Sequence, residues 1–237
     1  MSKELYNDEQ NLHFDEGMTS IFEALQNRAV PLYTEVQRMI AELAADHATD
    51  DSEIYDLGCG NGNSMIGMNT TVDSGIRFIG VDESEERIEG CKTKLMELGF
   101  SRDYELRCVD LNKGIRITNA SVVVMSLTLQ YVRPINREKL LRNIYEGLNA
   151  GGVLILVEEI LAENDQFNKE FLSYYYNYKR RNDFSEKEIN QKRASLENVL
   201  VPYKLSENIT LLKNSGFHHS ELFFKWYNFA GLIATKE

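Results

Sequence analysis

The chain has 237 residues, 43% of them hydrophobic and 27% charged, which excludes a disordered polymer and allows one large α/β domain. Its 37 acids against 26 bases give a net charge of −11, which argues against direct nucleic-acid binding through neutralised phosphates. No apolar run approaches the roughly 20 residues that span a bilayer. Met1 to Tyr6 carry no apolar signal core, and Cys59, Cys91 and Cys108 form no C-x-x-C pair, so a cytoplasmic setting is expected.

Periodicity predicts an N-terminal helical section over about 16–47, broken at Pro31. A strand over 52–57 then leads through a glycine turn to a helix starting near Asn63. The pattern continues with a strand at 76–81, a helix at 84–98 stopped by Gly99, and a strand at 104–109 stopped by Asp110. Ser121–Met125 is a continuous apolar run, as a central parallel strand covered on both faces requires. A helix at 136–149 is expected to end at Ala150-Gly151-Gly152, followed by a strand over Val153–Val157. A long helical insert, 160–215, reads as a cap, lid or dimer surface. Two antiparallel strands within Glu221–Thr235, meeting near Tyr227-Asn228, close the chain. Alternating strands and helices imply a seven-stranded, mostly parallel Rossmann-like sheet with helices on both faces, all in one domain spanning 1–237.

The strongest local signal is Asp56-Leu57-Gly58-Cys59-Gly60-Asn61-Gly62. Glycines at a strand end reach positive φ and let the backbone approach a ligand closely. Asp82, 26 residues after Asp56 at the tip of the next strand, suits a ribose diol. Asp110 and Ser126 end the next two strands, where ligands of such sheets bind; Asp110 could receive an adenine amino group. No Walker lysine follows the glycines, because Asn63-Ser64 stands there, which argues against a P-loop. Cys59 reads as a small buried neighbour of the ligand. The four histidines are too scattered for a metal site, and none is expected.

The Asp-Leu-Gly-Cys-Gly-x-Gly string resembles motif I of the class I S-adenosylmethionine (SAM) methyltransferases. Longer segments resemble the bacterial carboxy-SAM synthases: Phe14-Asp15-Glu16, Gln26 to Tyr33, Asn119 to Val124, Thr128 to Tyr131, Ile144 to Asn149, Lys179 to Asn182, Gln191 to Arg193, Leu196 to Val199 and Tyr227 to Phe229. The likeness covers nearly the whole chain, and its most specific part is the insert. It implies conversion of SAM and prephenate to carboxy-SAM and phenylpyruvate, a step toward 5-oxyacetyl-uridine in tRNA, by a homodimer. The ligand positions it implies are Tyr33, the loop Gly58–Gly60, Asp82 with Glu83, Asp110 with Leu111, Ser126, and Arg193 for the extra carboxylate. A guanidinium pairs bidentately with a carboxylate and keeps its charge at any working pH.

Departures from that family fall at Gly60-Asn61-Gly62, Glu83, Ser126 and Val157-Glu158-Glu159-Ile160; in the last, an acid stands where the family has a lysine. Acids at 158 and 159 are expected to make the pocket less welcoming to an anion. Two further readings therefore stay open. One is a SAM- or carboxy-SAM-dependent methyltransferase for a small metabolite, leaving S-adenosylhomocysteine when SAM is the donor, with Glu158, Glu159, His13 or Tyr131 as candidate bases. The other is a SAM-binding regulatory protein without catalysis.

Overall fold

The computed structural model describes residues 25–73 and 75–237. His13, the segment Phe14-Asp15-Glu16 and the start of the expected N-terminal helical section lie outside the described residues. Among the described residues there are eight strands: β1 Glu53–Leu57, β2 Arg77–Asp82, β3 Tyr104–Cys108, β4 Ala120–Ser126, β5 Leu148–Leu161, β6 Tyr203–Lys204, β7 His219–Trp226 and β8 Phe229–Thr235. The helices are α1 Tyr33–His47, α2 Asn63–Asn69, α3 Glu85–Glu97, α4 Pro134–Gly147, α5 Asp165–Arg181, α6 Glu186–Leu196 and α7 Leu205–Asn214.

Seven strands form one sheet in the order β3-β2-β1-β4-β5-β8-β7. β1 to β5 pair in parallel, and β8 runs antiparallel to both neighbours. The chain winds outward through β2 and β3, then returns to β4 on the other side of β1. Sheets with such a reversal bind ligands at the carboxyl ends of the strands that flank it, here β1 and β4.

Both sheet faces are covered. On one, Ile54, Phe78, Val122, Val124, Val153 and Ile155 pack with residues of α1, α2 and α3 and with Tyr175 of α5. On the other, Leu57, Val81, Val123 and Met125 meet Leu140, Leu141 and Ile144 of α4 and Leu212 of α7. Val122 to Met125 are fully buried, and each such side chain contributes about 1.5–3 kcal/mol relative to exposure. Both faces of β4 are needed for that burial, which is why its sequence is apolar without alternation.

The ends of α4 and of β5 differ from the sequence expectation. α4 begins at Pro134, whose fixed φ suits a first helical turn, and it ends at Gly147 rather than 149. Gly147 packs so closely that a Cβ there would lie 2.5 Å from the Ile117 carbonyl oxygen. β5 starts at Leu148, paired with Ala120, so Ala150-Gly151-Gly152 lie within a strand and not at a helix cap. The insert is not all helix: β5 runs on to Leu161, and its last two residues pair with β6.

Arg137 links that insert to the sheet. It is 1% exposed, donates to the carbonyl oxygens of Val132, Gln130 and Val201, and lies over the Tyr203 ring. Arg137→Met should strand those buried carbonyls and lower the unfolding free energy by about 3 kcal/mol, read by urea denaturation. A change below about 1 kcal/mol would contradict this structural role.

Candidate SAM-binding site

The turn after β1 is tight because two neighbours crowd it. Gly58 and Cys59 both donate backbone N–H groups to the Val81 carbonyl, at 2.7 and 2.9 Å, fastening the turn to β2. Gly58 has φ +81°, and a Cβ there would lie 2.2 Å from Thr128 Oγ1. Gly62, which precedes α2, has Cys91 behind it, with Sγ 2.7 Å from where a Cβ would stand. Gly60 differs: its φ is +52°, and nothing lies within 4 Å of its missing Cβ. Space for a ligand therefore opens at Gly60. Cys59 is buried, and its hydrogen bond with the Cys91 thiol, reinforced by burial, pushes its pKa far up and keeps it a thiol.

Asp82 organises this turn. One carboxylate oxygen accepts from the Gly60 N–H at 3.1 Å, the other from the Ser84 N–H at 3.0 Å. Each oxygen keeps a further acceptor site, so the group can still meet a diol. Asp56 is 2% exposed, and its Oδ2 has no hydrogen-bond partner. Burial, with the nearby charge of Asp82, raises its pKa to about 7. Asn61 Nδ2 is likewise buried without a partner. An orphaned acceptor near the end of β1 and an orphaned donor next to Gly60 thus stand on either side of the first glycines of the turn in sequence.

Asp110 caps the short turn Leu111–Lys113 by accepting from the Asn112 N–H at 2.9 Å, which holds its pKa below the usual carboxylate range. Leu111 is buried beside it, whereas Glu83 is exposed beyond β2. Tyr33, at the start of α1, accepts from Asn63 Nδ2 at 2.9 Å, and Asn63 Oδ1 accepts from the buried Lys94 at 2.6 Å. That relay joins α1, α2 and α3 behind the glycine turn.

The turn after β4 is the second wall. Ser126 ends β4 opposite Val157, and Leu127 turns the chain with φ 56°. Glu158 gathers the next three residues: Oε1 accepts from the N–H groups of Thr128 and Leu129 at 3.2 and 2.9 Å, Oε2 from Gln130 at 2.6 Å. Burial raises its pKa to about 8 against the pull of those donors. Glu158, expected as a candidate base or as a charge facing an anionic substrate, is 3% exposed and spends both oxygens on holding this turn together. Tyr131, at the end of the turn, is 43% exposed. Arg193 lies exposed on α6, and no hydrogen bond or ion pair among the described residues joins its guanidinium to the glycine turn.

The strand-tip residues Asp56, Asp82, Asp110 and Ser126 thus share one edge of the sheet, as expected. Asn61, Thr128 and the Tyr33–Asn63–Lys94 relay were not anticipated. Asn61 lies inside the motif and could have been suspected there, but nothing local marks Thr128 or Lys94.

Asp56 makes stability pH-dependent. Its folded pKa of about 7 lies above the ordinary value of 3.8, so its contribution is full below about pH 4 and is lost as pH rises through 7. Asp56→Asn should therefore gain stability relative to the parent between pH 5 and pH 8, by up to a few kcal/mol at about 1.4 kcal/mol per pKa unit. Urea unfolding at both pH values reads this, and a constant difference would contradict the buried, protonated carboxyl.

Comparison with known proteins agrees with this fold. A methyltransferase domain profile matches residues 54–152, from β1 into β5. The carboxy-S-adenosyl-L-methionine synthase of Methylococcus capsulatus is 46% identical over 224 residues, covering 94% of this chain and 93% of that one. The synthase of Nautilia profundicola is 36% identical, covering 96% of each chain. Among solved structures, the YcgJ protein of Bacillus subtilis shares the fold with a TM-score of 0.64 at 12% identity, covering 86% of this chain and 99% of its own. A SAM-dependent methyltransferase from Aquifex aeolicus gives 0.61 at 14%, covering 95% of this chain and all of its own. Identity at this level over nearly the full length of both partners places the chain in the carboxy-S-adenosyl-L-methionine synthase family.

Proposed function

We propose that the protein converts SAM and prephenate to carboxy-SAM and phenylpyruvate. The observation that carries SAM binding is the two orphaned atoms, Asp56 Oδ2 near the end of β1 and Asn61 Nδ2 in the glycine turn beside the open space at Gly60. Family membership carries the choice of reaction. When bound, SAM supplies a methyl group activated by its sulfonium. In this reading Asp56 takes the ligand ammonium and Asn61 the carboxylate, with Tyr33, Gly58, Cys59, Gly60 and Gly62 forming the surrounding wall. Asp82 and Glu83 serve the ribose, and Asp110, Leu111 and Ser126 the adenine side.

The reaction balances without a redox partner. Prephenate gives up its ring carboxyl as a CO2 unit and its hydroxyl as hydroxide, the methyl carbon gives up a proton, and water forms. The protein aligns the partners and stabilises charge, with Arg193 gripping the transferred carboxylate and Tyr131 at the rim. A homodimer in the cytoplasm, serving tRNA modification, completes the proposal.

Incubation with SAM and prephenate labelled with 13C in the ring carboxyl should give carboxy-SAM carrying the label, detected by mass spectrometry. Unlabelled SAM and intact prephenate after prolonged incubation would contradict the reaction. Arg193→Ala should weaken carboxy-SAM about 10- to 100-fold and SAM less than about twofold, by calorimetry. Equal losses for both ligands would remove the carboxylate role.

A further inference from the structure

Side chains alternate across a strand, so Glu158 and Glu159 leave β5 on opposite faces. Glu158 turns toward α4 and the turn after β4. Glu159 shares parity with Val153, Ile155 and Val157, which pack on the face that carries α1, α2 and Tyr175 of α5. It therefore emerges on the glycine-turn face of the sheet, one strand beyond the β4 tip.

Three polar groups meet there. Glu159 Oε1 accepts from Asn228 Nδ2 at 3.1 Å. Asn228, between β7 and β8, is 4% exposed, and its Oδ1 has no partner. The bond to Glu159 fixes the amide orientation, so the oxygen is the atom left wanting a donor. Lys179 of α5 is partly buried, with its ammonium 4.5 Å from the centre of the Tyr175 ring. It forms no hydrogen bond or ion pair among the described residues, although Glu159 is near enough to oppose the lowering of its pKa by burial. A buried acceptor without a donor is unfavourable alone, and a half-buried cation that Glu159 influences without forming an ion pair keeps its donors unused. One ligand can satisfy both.

We infer that Lys179 and Asn228, with Glu159 as positioning residue, form the polar end of a second-substrate site that takes a hydroxy-carboxylate. Lys179 pairs with the ligand carboxylate, and Asn228 Oδ1 accepts from its hydroxyl. Glu159 holds the amide and disfavours ligands that present an anion in place of the hydroxyl. Prephenate carries both groups, so the inference rests on the proposed function for the identity of its ligand.

The test is calorimetric titration of prephenate into the protein saturated with S-adenosylhomocysteine, which lacks the reacting methyl group, beside the turnover assay with SAM. Lys179→Ala and Asn228→Leu should each weaken prephenate about 10-fold or more and raise its KM in parallel. SAM affinity should stay within about twofold, which also reports that the variants fold. Lys179→Arg should restore most of the loss. Prephenate binding without turnover, lost in Lys179→Ala, would keep the site and overturn the synthase reading. Turnover with an unmoved KM in both variants would overturn the site and keep the synthase. Failure of the parent saturated with S-adenosylhomocysteine to bind prephenate would overturn the inference outright.

Discussion

The close approach of two turns governs this molecule. Gly58 and Thr128 come so near that a single added methyl group would overlap the threonine side chain. The approach persists because each turn is held from behind. The glycine turn hangs from Val81 through two N–H donors and from Asp82 through a third. The other turn is gathered onto the buried Glu158 carboxylate by three consecutive N–H groups. A carboxylate in that position satisfies donors that a strand-to-helix connection would otherwise leave buried without partners.

The same anchor extends outward. The Gln130 side chain accepts from the Glu159 N–H, and its backbone carbonyl receives both Arg137 and the Val201 N–H. Thus the end of the insert, the tip of β5 and the wall of the crevice belong to one hydrogen-bonded body. Motion of the insert relative to the crevice would have to break bonds to Arg137 or to Gln130. On the opposite face, aromatic contacts of Tyr175 and Tyr178 with Trp226, and of Tyr174 with Tyr227, tie α5 to the closing hairpin. Asn228 sits at the bend of that hairpin, which brings an element late in the chain to the crevice edge.

Much of this was legible in the sequence, for a definite reason. Strand tips are marked where an apolar run meets a polar residue, and parallel topology puts all such tips on one edge, so Asp56, Asp82, Asp110 and Ser126 could be grouped without a structure. The extent of β5 could not be read, because its ends are set by pairing with Ala120 at one side and Tyr203 at the other, both distant in sequence. The role of Glu158 was hidden similarly: its donors lie 28 to 30 residues earlier, and a lone acid after a strand looks the same whether it faces substrate or backbone. Arg193 is the reverse case. Its proposed part comes from resemblance alone, since neither its spacing nor its exposed place on α6 distinguishes it from neighbouring bases.

The most direct measurement is mass spectrometry of the small molecule released when the purified protein is denatured. The account predicts carboxy-SAM, whose ammonium, carboxylates and ribose each have an assigned partner. Release of S-adenosylhomocysteine alone, with no carboxy-SAM retained after incubation with the authentic compound, would contradict it.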